Sequence, residues 1–519
     1  MEVLLLDNEV RTVNTASEEF ALFFTKTVPL IQEYESLIRE SPGNFPRAER
    51  ALIAAFKEGA DLVSAGFLNT TSKDPSVIAQ VKEIHQSSDT PLRAPTRQTI
   101  FIRLLCGLIL QVTTLYCAPD GKAKHRDKTE SRTGLYPELA AYGFAKKSSA
   151  AFEELVARRV AFCPSFEIAT QELNREGIKI NVKEVRRLAL QFGESLLAMR
   201  LIMVQDFLEG NLPASDELAG KRVVVSTDGG RMKTRRNKEQ QRKKEGEHPK
   251  YHTDWREPKL LIVYTIDERG KKEKESRVWI DGTFQGPDHL AELLAAKLYH
   301  LGISQAESVT FIADGAPWIW DRFDWIVEVL KLPQAKVQYV LDFYHAAHHI
   351  SLALSELGLS DDERRRIYKE LRSELKNSRW QVVVDKLKEL GAGVPHSESL
   401  LDEGSVFCRE LRFFLKHGEA GHLNYATYAR RGLPLGSGAV ESAIRRVINL
   451  RLKGNGMFWT EENAESMLQV RCQLLSTEWD DCLDKLYRHR LKTRRRKWQW
   501  QAGDHSRKAK NEPKPAEKC

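Results

Sequence analysis

The order of apolar and polar residues divides the chain into stretches of different character. Between residues 17 and 70, two segments carry helical spacing, SEEFALFFTKTVPLIQEYESLIRE and PRAERALIAAFKEGADLVSAGFL, separated by the breaker SPGNFP. They predict an amphipathic helical pair. From Thr99 the pattern changes to TIFIRLLCGLILQVTTLYC, rich in Ile, Leu, Val and Thr around Gly107, which predicts a β-hairpin. A loop rich in charge and turn residues, APDGKAKHRDKTESRTG, follows. Residues 149 to 200 read as three successive helices. Asn181 and Glu184 form an N-x-x-E capping box, so a helix should start at Val182 and run to about Leu197. With the preceding SFEIATQELNREG it makes a helix-turn-helix candidate, which sets Lys183, Arg186 and Arg187 where recognition side chains face a DNA groove. The plain alternative is a helix pair that only packs.

From residue 221 the period shortens. KRVVVSTDGG is a buried-strand run ending in Asp228, and KLLIVYTIDERG and SRVWIDGTF are two further strands. A helix from about Pro287 to Leu301 precedes the strand SVTFIADG, ending at Asp314. The helix PWIWDRFDWIVEVLK then leads to the strand KVQYVLD, ending at Asp342. The order implies an α/β fold with a mixed sheet. Its first, fourth and fifth strands would run parallel after right-handed crossovers, bringing the three aspartates to one edge, where open α/β sheets take ligands. Any one of them alone would pass for a helix cap or turn residue. TDGG and ADGA repeat one context, however, and a glycine after the carboxylate leaves room for a phosphate or metal. Residues 346 to 430 return to helical periodicity with heavy charge, SDDERRRIYKELRSELK, and are too long for a loop.

Composition bounds this picture without changing it. With 519 residues the chain should hold three or four domains, and 41% hydrophobic content with 29% charged excludes global disorder. Seven scattered Cys without a CxxC pair argue against a disulfide framework and a structural zinc site, and fit a reducing cytosol. The opening MEVLLLDNEVRT lacks the basic and apolar regions of a secretory signal. Leu104 to Leu115 falls short of the roughly 20 residues of a membrane span, so a cytoplasmic protein without a membrane partner is expected.

The stretch GLPLGSGAVESAIRRVINLRLKGNGMFW places Glu441 in the first turn of a helix, followed by Arg445, Arg446, Arg451 and Lys453. Without GK[ST] or a preceding strand it is not a nucleotide-binding P-loop, and no nucleotide cofactor is expected. Glu441 with Arg445 is an i,i+4 pair whose bland reading is a surface salt bridge. The functional reading is an acid flanked by bases that hold a phosphodiester beside it. Three carboxylates, from Asp228, Asp314 and Glu441, can ligate two hard divalent cations about 3.5–4 Å apart, for which Mg²⁺ (or Mn²⁺) is the natural choice.

These residues resemble DDE transposases of bacterial insertion sequences, in particular the ISKra4-like group, which is related to the Mutator-like transposases of eukaryotes. The resemblance covers about residues 95 to 480 and is carried by STDGGRMK, FIADGAPWIW, LDFYHAAHH and GSGAVESAIRRVINLRLKGNGMFW. It implies an RNase H-like core with Asp228 and Asp314 as catalytic aspartates and Glu441 as the closing glutamate. A helical insertion would lie between Asp314 and Glu441. It also implies metal-dependent cleavage and strand transfer at terminal inverted repeats by a homo-oligomer, dimer or larger. LDFYH resembles the Asp/Cys-x-x-His signature of the Mutator-like enzymes, matched by Asp342 and His345, which would orient DNA or a metal-bound water. His345, His348 and His349 share the spacing of zinc ligands, but HExxH and a matching Cys are absent, so a hydrogen-bonded structural role is the reading for His348 and His349. Trp318 and Trp320 are core anchors of their helix or, functionally, a Trp beside the carboxylate stacks on a flipped base.

The basic charge, a net +8, gathers in two clusters. RMKTRRNKEQQRKKEGEHPK, residues 231 to 250, starts three residues after Asp228 and brings Arg231, Lys233, Arg235, Arg236, Lys243 and Lys244 towards the proposed site. KLYRHRLKTRRRKWQWQAGDHSRKAK, residues 485 to 510, contains Arg494, Arg495 and Arg496 beside Trp498 and Trp500. Both are expected to hold DNA phosphates, although a charge run is usually only a solvated face. The expected organisation is a helical region at 1–95, a hairpin and loop at 96–148 and a helix-turn-helix region at 149–215. An RNase H-like core at 216–345 and 432–480 follows, with a helical insertion at 346–431 and a basic tail at 481–519. A transposase-derived DNA-binding protein without catalysis and a nuclease without strand transfer are the rival functions.

Overall fold

Val3 and Leu5 point inward between exposed or half-buried neighbours, and this alternation makes the first residues a strand, β1 (Glu2–Leu6), paired with β2 (Val10–Thr12). The computed structural model describes residues 1–6, 10–86, 92–119, 134–144, 147–237, 251–392, 405–454 and 457–491. The chain divides into two compact units, one formed by Met1–Met199 with the segment from Asp480, the other by Arg200–Trp479.

In the first unit, α1 (Ala16–Glu40) starts at a Thr15–Glu18 capping box and lies against α2 (Phe45–Thr71), as the spacing predicts. The short α3 (Pro75–Gln86) follows. The expected hairpin forms as β3 (Thr96–Arg103) and β4 (Ile109–Tyr116), turning at Gly107 with φ 101°. It is half of an antiparallel sheet of order β2-β1-β4-β3. The N-terminal region is therefore not purely helical, because its first two strands complete the hairpin's sheet. Leu62, Ala65 and Leu68 of α2 pack on Val3, Leu5, Ile100, Ile102, Leu110 and Val112 to form one hydrophobic core of this unit.

Next come α4 (Pro137–Ala141), α5 (Ala150–Phe162), α6 (Phe166–Arg175) and α7 (Val182–Leu208). Ser149 and Ser165 cap α5 and α6 through their hydroxyls. Between α6 and α7 the chain turns at Gly177, φ 92°, and the Asn174 side chain bridges the backbone N–H and C=O of Ile180. Asn181 accepts from the Glu184 N–H at 2.9 Å, while the Glu184 carboxylate turns to Arg187. α7 continues past the expected end near Leu197. It is the one helix among the described residues long and apolar enough to cross a membrane, and half of its apolar window is buried inside the protein.

The second unit is built on continuous apolar runs, which make its central strands. They are β5 (Arg222–Gly229), then the hairpin β6 (Met232–Asn237) and β7 (Tyr251–Arg256), then β8 (Lys259–Ile266) and β9 (Val278–Thr283). The alternation α8 (Pro287–His300), β10 (Ser308–Ala313), α9 (Pro317–Val329), β11 (Val337–Leu341) follows. The five-stranded sheet has the order β11-β10-β5-β8-β9. β10 pairs parallel with β5 and with β11, while β8 pairs antiparallel with both β5 and β9, so the sheet is mixed as expected. Within the charged stretch 231–250, residues 232–237 form the strand β6 where a solvated charge run was the plain alternative, and residues 238–250 lie outside the described residues. Met232 and Thr234 face inward, fully buried, and the Arg235 N–H donates to the Trp459 carbonyl at 2.7 Å.

The helices α10 (Phe343–Ser355), α11 (Asp361–Lys376), α12 (Trp380–Leu390), α13 (Val406–Glu419) and α14 (Tyr425–Arg430) lie in the described part of the stretch expected to be helical. α15 (Gly438–Ile444) runs into a π-helical turn, Arg445–Asn449, and α16 (Glu461–Leu475) closes the unit. Arg200 is buried and donates to Asp281, the Gly282 carbonyl, Gln469 and Glu465, and Glu465 also accepts from Thr283 and Phe284. This closed network ties β9 to α16. Finally α17 (Trp479–Leu491), with Cys482 and Leu486 buried, replaces the beginning of the expected basic tail.

Candidate functional site: three carboxylates at one sheet edge

The parallel pairing fixes where the aspartates fall. Ile312 is level with Ser226 and Ala313 with Leu341. Carrying these registers forward by one or two residues sets Asp228, Asp314 and Asp342 side by side on three neighbouring strand ends. Asp228 commits one oxygen to the Gly229 N–H at 2.6 Å, and Asp314 one to the Ala316 N–H at 3.0 Å. The glycines here serve close approach. A Cβ at Gly230 would collide with Ile448 of the π-helical turn, and one at Gly315 with the Phe413 ring. Gly230 thereby lets α15 and its continuation lie against β5 and β8.

Asp342 differs from the other two. It is 1% exposed and caps α10, accepting from the N–H groups of Tyr344 (2.7 Å) and His345 (2.9 Å). Its second oxygen accepts from the Ser437 N–H and from the Ser437 hydroxyl at 2.6 Å. With four donors on it, this carboxylate does not orient DNA or a bound water, as the sequence suggested. It latches the Gly-Ser-Gly loop, and so the start of α15, to the sheet edge. One turn on from that latch stands Glu441, its side chain 56% exposed, 4.0 Å from His345 Nε2.

These groups share one electrostatic field. Burial pushes the Asp228 carboxyl up to about 6, with the negative charges of Asp314 and Glu441 adding to it, while the Gly229 N–H and His345 pull the other way. Among the described residues, no group of three or more His, Cys, Asp or Glu side chains is drawn together tightly enough to hold a metal ion. The donor chemistry nevertheless suits a hard divalent cation. The set is all oxygen, Mg²⁺ takes one or two carboxylates and keeps its waters, and the crowding of like charge on Asp228 is what a cation relieves. The histidines do not make a zinc site. His348 is exposed, and His349 stacks on Phe413 at 3.7 Å and pairs with buried Glu410.

The aromatic pair separates. Trp320 is a buried anchor whose indole N–H donates to the Asp314 carbonyl at 2.8 Å and whose ring stacks on His422 at 4.2 Å. Trp318 is half-buried, with the Lys259 ammonium 4.2 Å from its ring centre. The cations separate too. Arg445 and Lys453 are exposed and Arg446 is half-buried, but Arg451 is 2% exposed with its guanidinium 5.1 Å from the Trp459 ring centre, so it is a core residue and not a DNA contact. Arg231 and Lys233 are exposed, Arg235 is half-buried, and Arg236 pairs with Asp254 (3.4 Å) and Glu461 (3.6 Å). In the first unit, Lys183 and Arg186 are exposed at the start of α7, while Arg187 is held by Glu184 and Gln191. Lys243, Lys244, Arg494, Arg495 and Arg496 lie outside the described residues. Ser437, Lys259 and Trp255 were missed from the sequence. Only Ser437 carried a local sign, the Gly-Ser-Gly turn before an acidic helix start.

No family model matches the chain, and no curated protein matches it. Among solved structures it is similar to the Drosophila P element transposase strand transfer complex. The identity is 10% and the TM-score 0.30, with 65% of this chain and 94% of that chain covered.

Proposed function

We propose that the chain is a DDE transposase with an RNase H-like core, Asp228, Asp314 and Glu441 being its catalytic carboxylates. One observation carries the reading. Asp228 and Asp314 end adjacent parallel strands at one level, and Glu441 arrives on a helix packed against β5 and contributes to the field at Asp228. The three side chains would hold two Mg²⁺ or Mn²⁺ ions. Bound there, the ions supply an activated water and offset the charge on the leaving oxygen. The chain's own groups do the positioning. Asp342 fixes α15 through Ser437, His345 stands beside Glu441, and Arg445, Arg446, Lys453, Arg231 and Lys233 hold phosphates around the reacting one.

In this reading, Lys183 and Arg186 at the start of α7 recognise the terminal inverted repeats of an insertion sequence. A hydrolytic cut frees a 3′-hydroxyl, which then attacks target DNA at the same carboxylates. Two ends are handled together by a homo-oligomer in the bacterial cytoplasm. The test is a cleavage and strand-transfer assay with Mg²⁺ or Mn²⁺ on end-containing DNA. Asp228→Asn, Asp314→Asn and Glu441→Gln are each expected to reduce joined product to background. Joining retained in all three removes the assignment, and cleavage without joined product in the unaltered protein leaves a nuclease.

A further inference from the structure

We infer that the outward face of the β6–β7 hairpin is a seat for an unpaired nucleotide, with its base on Trp255 and its flanking phosphates on Arg231 and Lys233. The inference rests on the nucleic-acid reading above and adds a residue and a strand state to it. In the hairpin register Lys233 lies directly opposite Trp255, so both project from the same face. The other face is already used. Met232 and Thr234 are fully buried, Arg256 donates to Glu461 at 2.6 Å, and Arg236 pairs with Asp254 and Glu461.

Anchored in this way, the hairpin presents Trp255 with 49% of its surface exposed. The Arg231 guanidinium and the Lys233 ammonium each lie 5.2 Å from its ring centre, within cation–π range. A half-exposed indole on an anchored strand offers part of a flat apolar face to solvent. Its immediate rim is cationic, formed by Arg231 and Lys233.

A duplex meets such a face with phosphates only and leaves the ring idle. An unpaired nucleotide uses both parts, because its base stacks on the ring while the long Arg231 and Lys233 side chains move to its phosphates. Arg231 follows Asp228 by only three residues, so a strand seated here continues from the phosphodiester placed at Asp228.

The test measures binding, without metal and without turnover. The full chain carrying Asp228→Asn is titrated in EDTA against a labelled blunt duplex and against the same duplex bearing a 3′ single-stranded overhang, read by fluorescence anisotropy. Trp255→Ala is expected to weaken overhang binding roughly 5- to 100-fold and to leave the blunt duplex unchanged, with Trp255→Phe restoring most of the loss. Equal weakening on both DNAs, no change on either, or failure of Phe to restore binding at an unchanged melting midpoint would overturn the seat. A failed cleavage assay leaves this result readable, so the two readings fail separately.

Discussion

Asp342 and Ser437 are 95 positions apart, and their contact decides where Glu441 stands. A buried carboxylate deprived of one of its four donors bears the cost of an incompletely paired charge, about 1–3 kcal/mol. Ser437→Ala is therefore expected to lower stability by that amount while leaving Asp228, Asp314 and Glu441 chemically intact. Its second effect separates positioning from mere packing. A loosened α15 should raise the divalent-ion concentration needed for half-maximal cleavage by about 10- to 100-fold, the range found when an outer support of a metal ligand is removed. An unchanged metal requirement with lowered stability would make the latch structural only. At this scale the positions of Asp228 and Asp314 at strand ends and of Glu441 in the first turn of a helix were legible in the sequence, because apolar runs and a Gly-Ser-Gly turn mark those elements. The role of Ser437 was not, because its partner is supplied by the fold, and Arg451 misled because a buried cation over Trp459 has the same local sequence as an exposed one.

Elements were legible where their periodicity was not shared with another force. β5, β8, β10 and β11 are apolar runs in a mixed sheet, and runs of that kind have few alternative structures. β1 and β2 are too short to declare themselves without β4 beside them, and β6 and β7 carry their alternation in Met232 and Thr234 beneath a dense run of charge. α13 and the loop after it show what an element can hide. His417 and His422 face each other with Nδ1 atoms 3.0 Å apart. Burial pushes His417 down to about 3, with His422, Lys416 and His349 adding to it, and burial with Lys416 pushes His422 down to about 4. The unfolded chain, with histidines near 6.5, binds these protons first, so stability present above pH 6.5 is lost as the pH falls towards 4. His422→Asn should reduce the slope of unfolding free energy against pH in that window by at most about 1.4 kcal/mol per pH unit, one proton's worth, measured by urea unfolding. An unchanged slope would mean that His422 is already protonated in the folded protein.

For the whole molecule, net charge is a poor guide to its partner and local charge a better one. A surplus of +8 over 519 residues is small, yet the same sequence concentrates cations in the stretch that leaves β5 just after Asp228. The division into two units was not legible, since nothing in the run of α7 marks the boundary between Met199 and Arg200. Local charge is nevertheless read directly by the salt dependence of binding. Each phosphate that the protein no longer neutralises should flatten the dependence of log Kobs on log salt by about 0.9 for duplex DNA. Neutralising Arg235, Arg236, Lys243 and Lys244 together would remove about 3.6 if all four touched phosphate. Arg236 is engaged by Asp254 and Glu461, so the expected change is smaller than about 3.6. Arg451→Met supplies the contrast, since a buried guanidinium should leave the salt slope unchanged and shift only the unfolding midpoint. An unaltered slope in the fourfold variant would remove this stretch from the DNA interface. A flattened slope in Arg451→Met would show that folding, and not phosphate binding, sets the salt dependence.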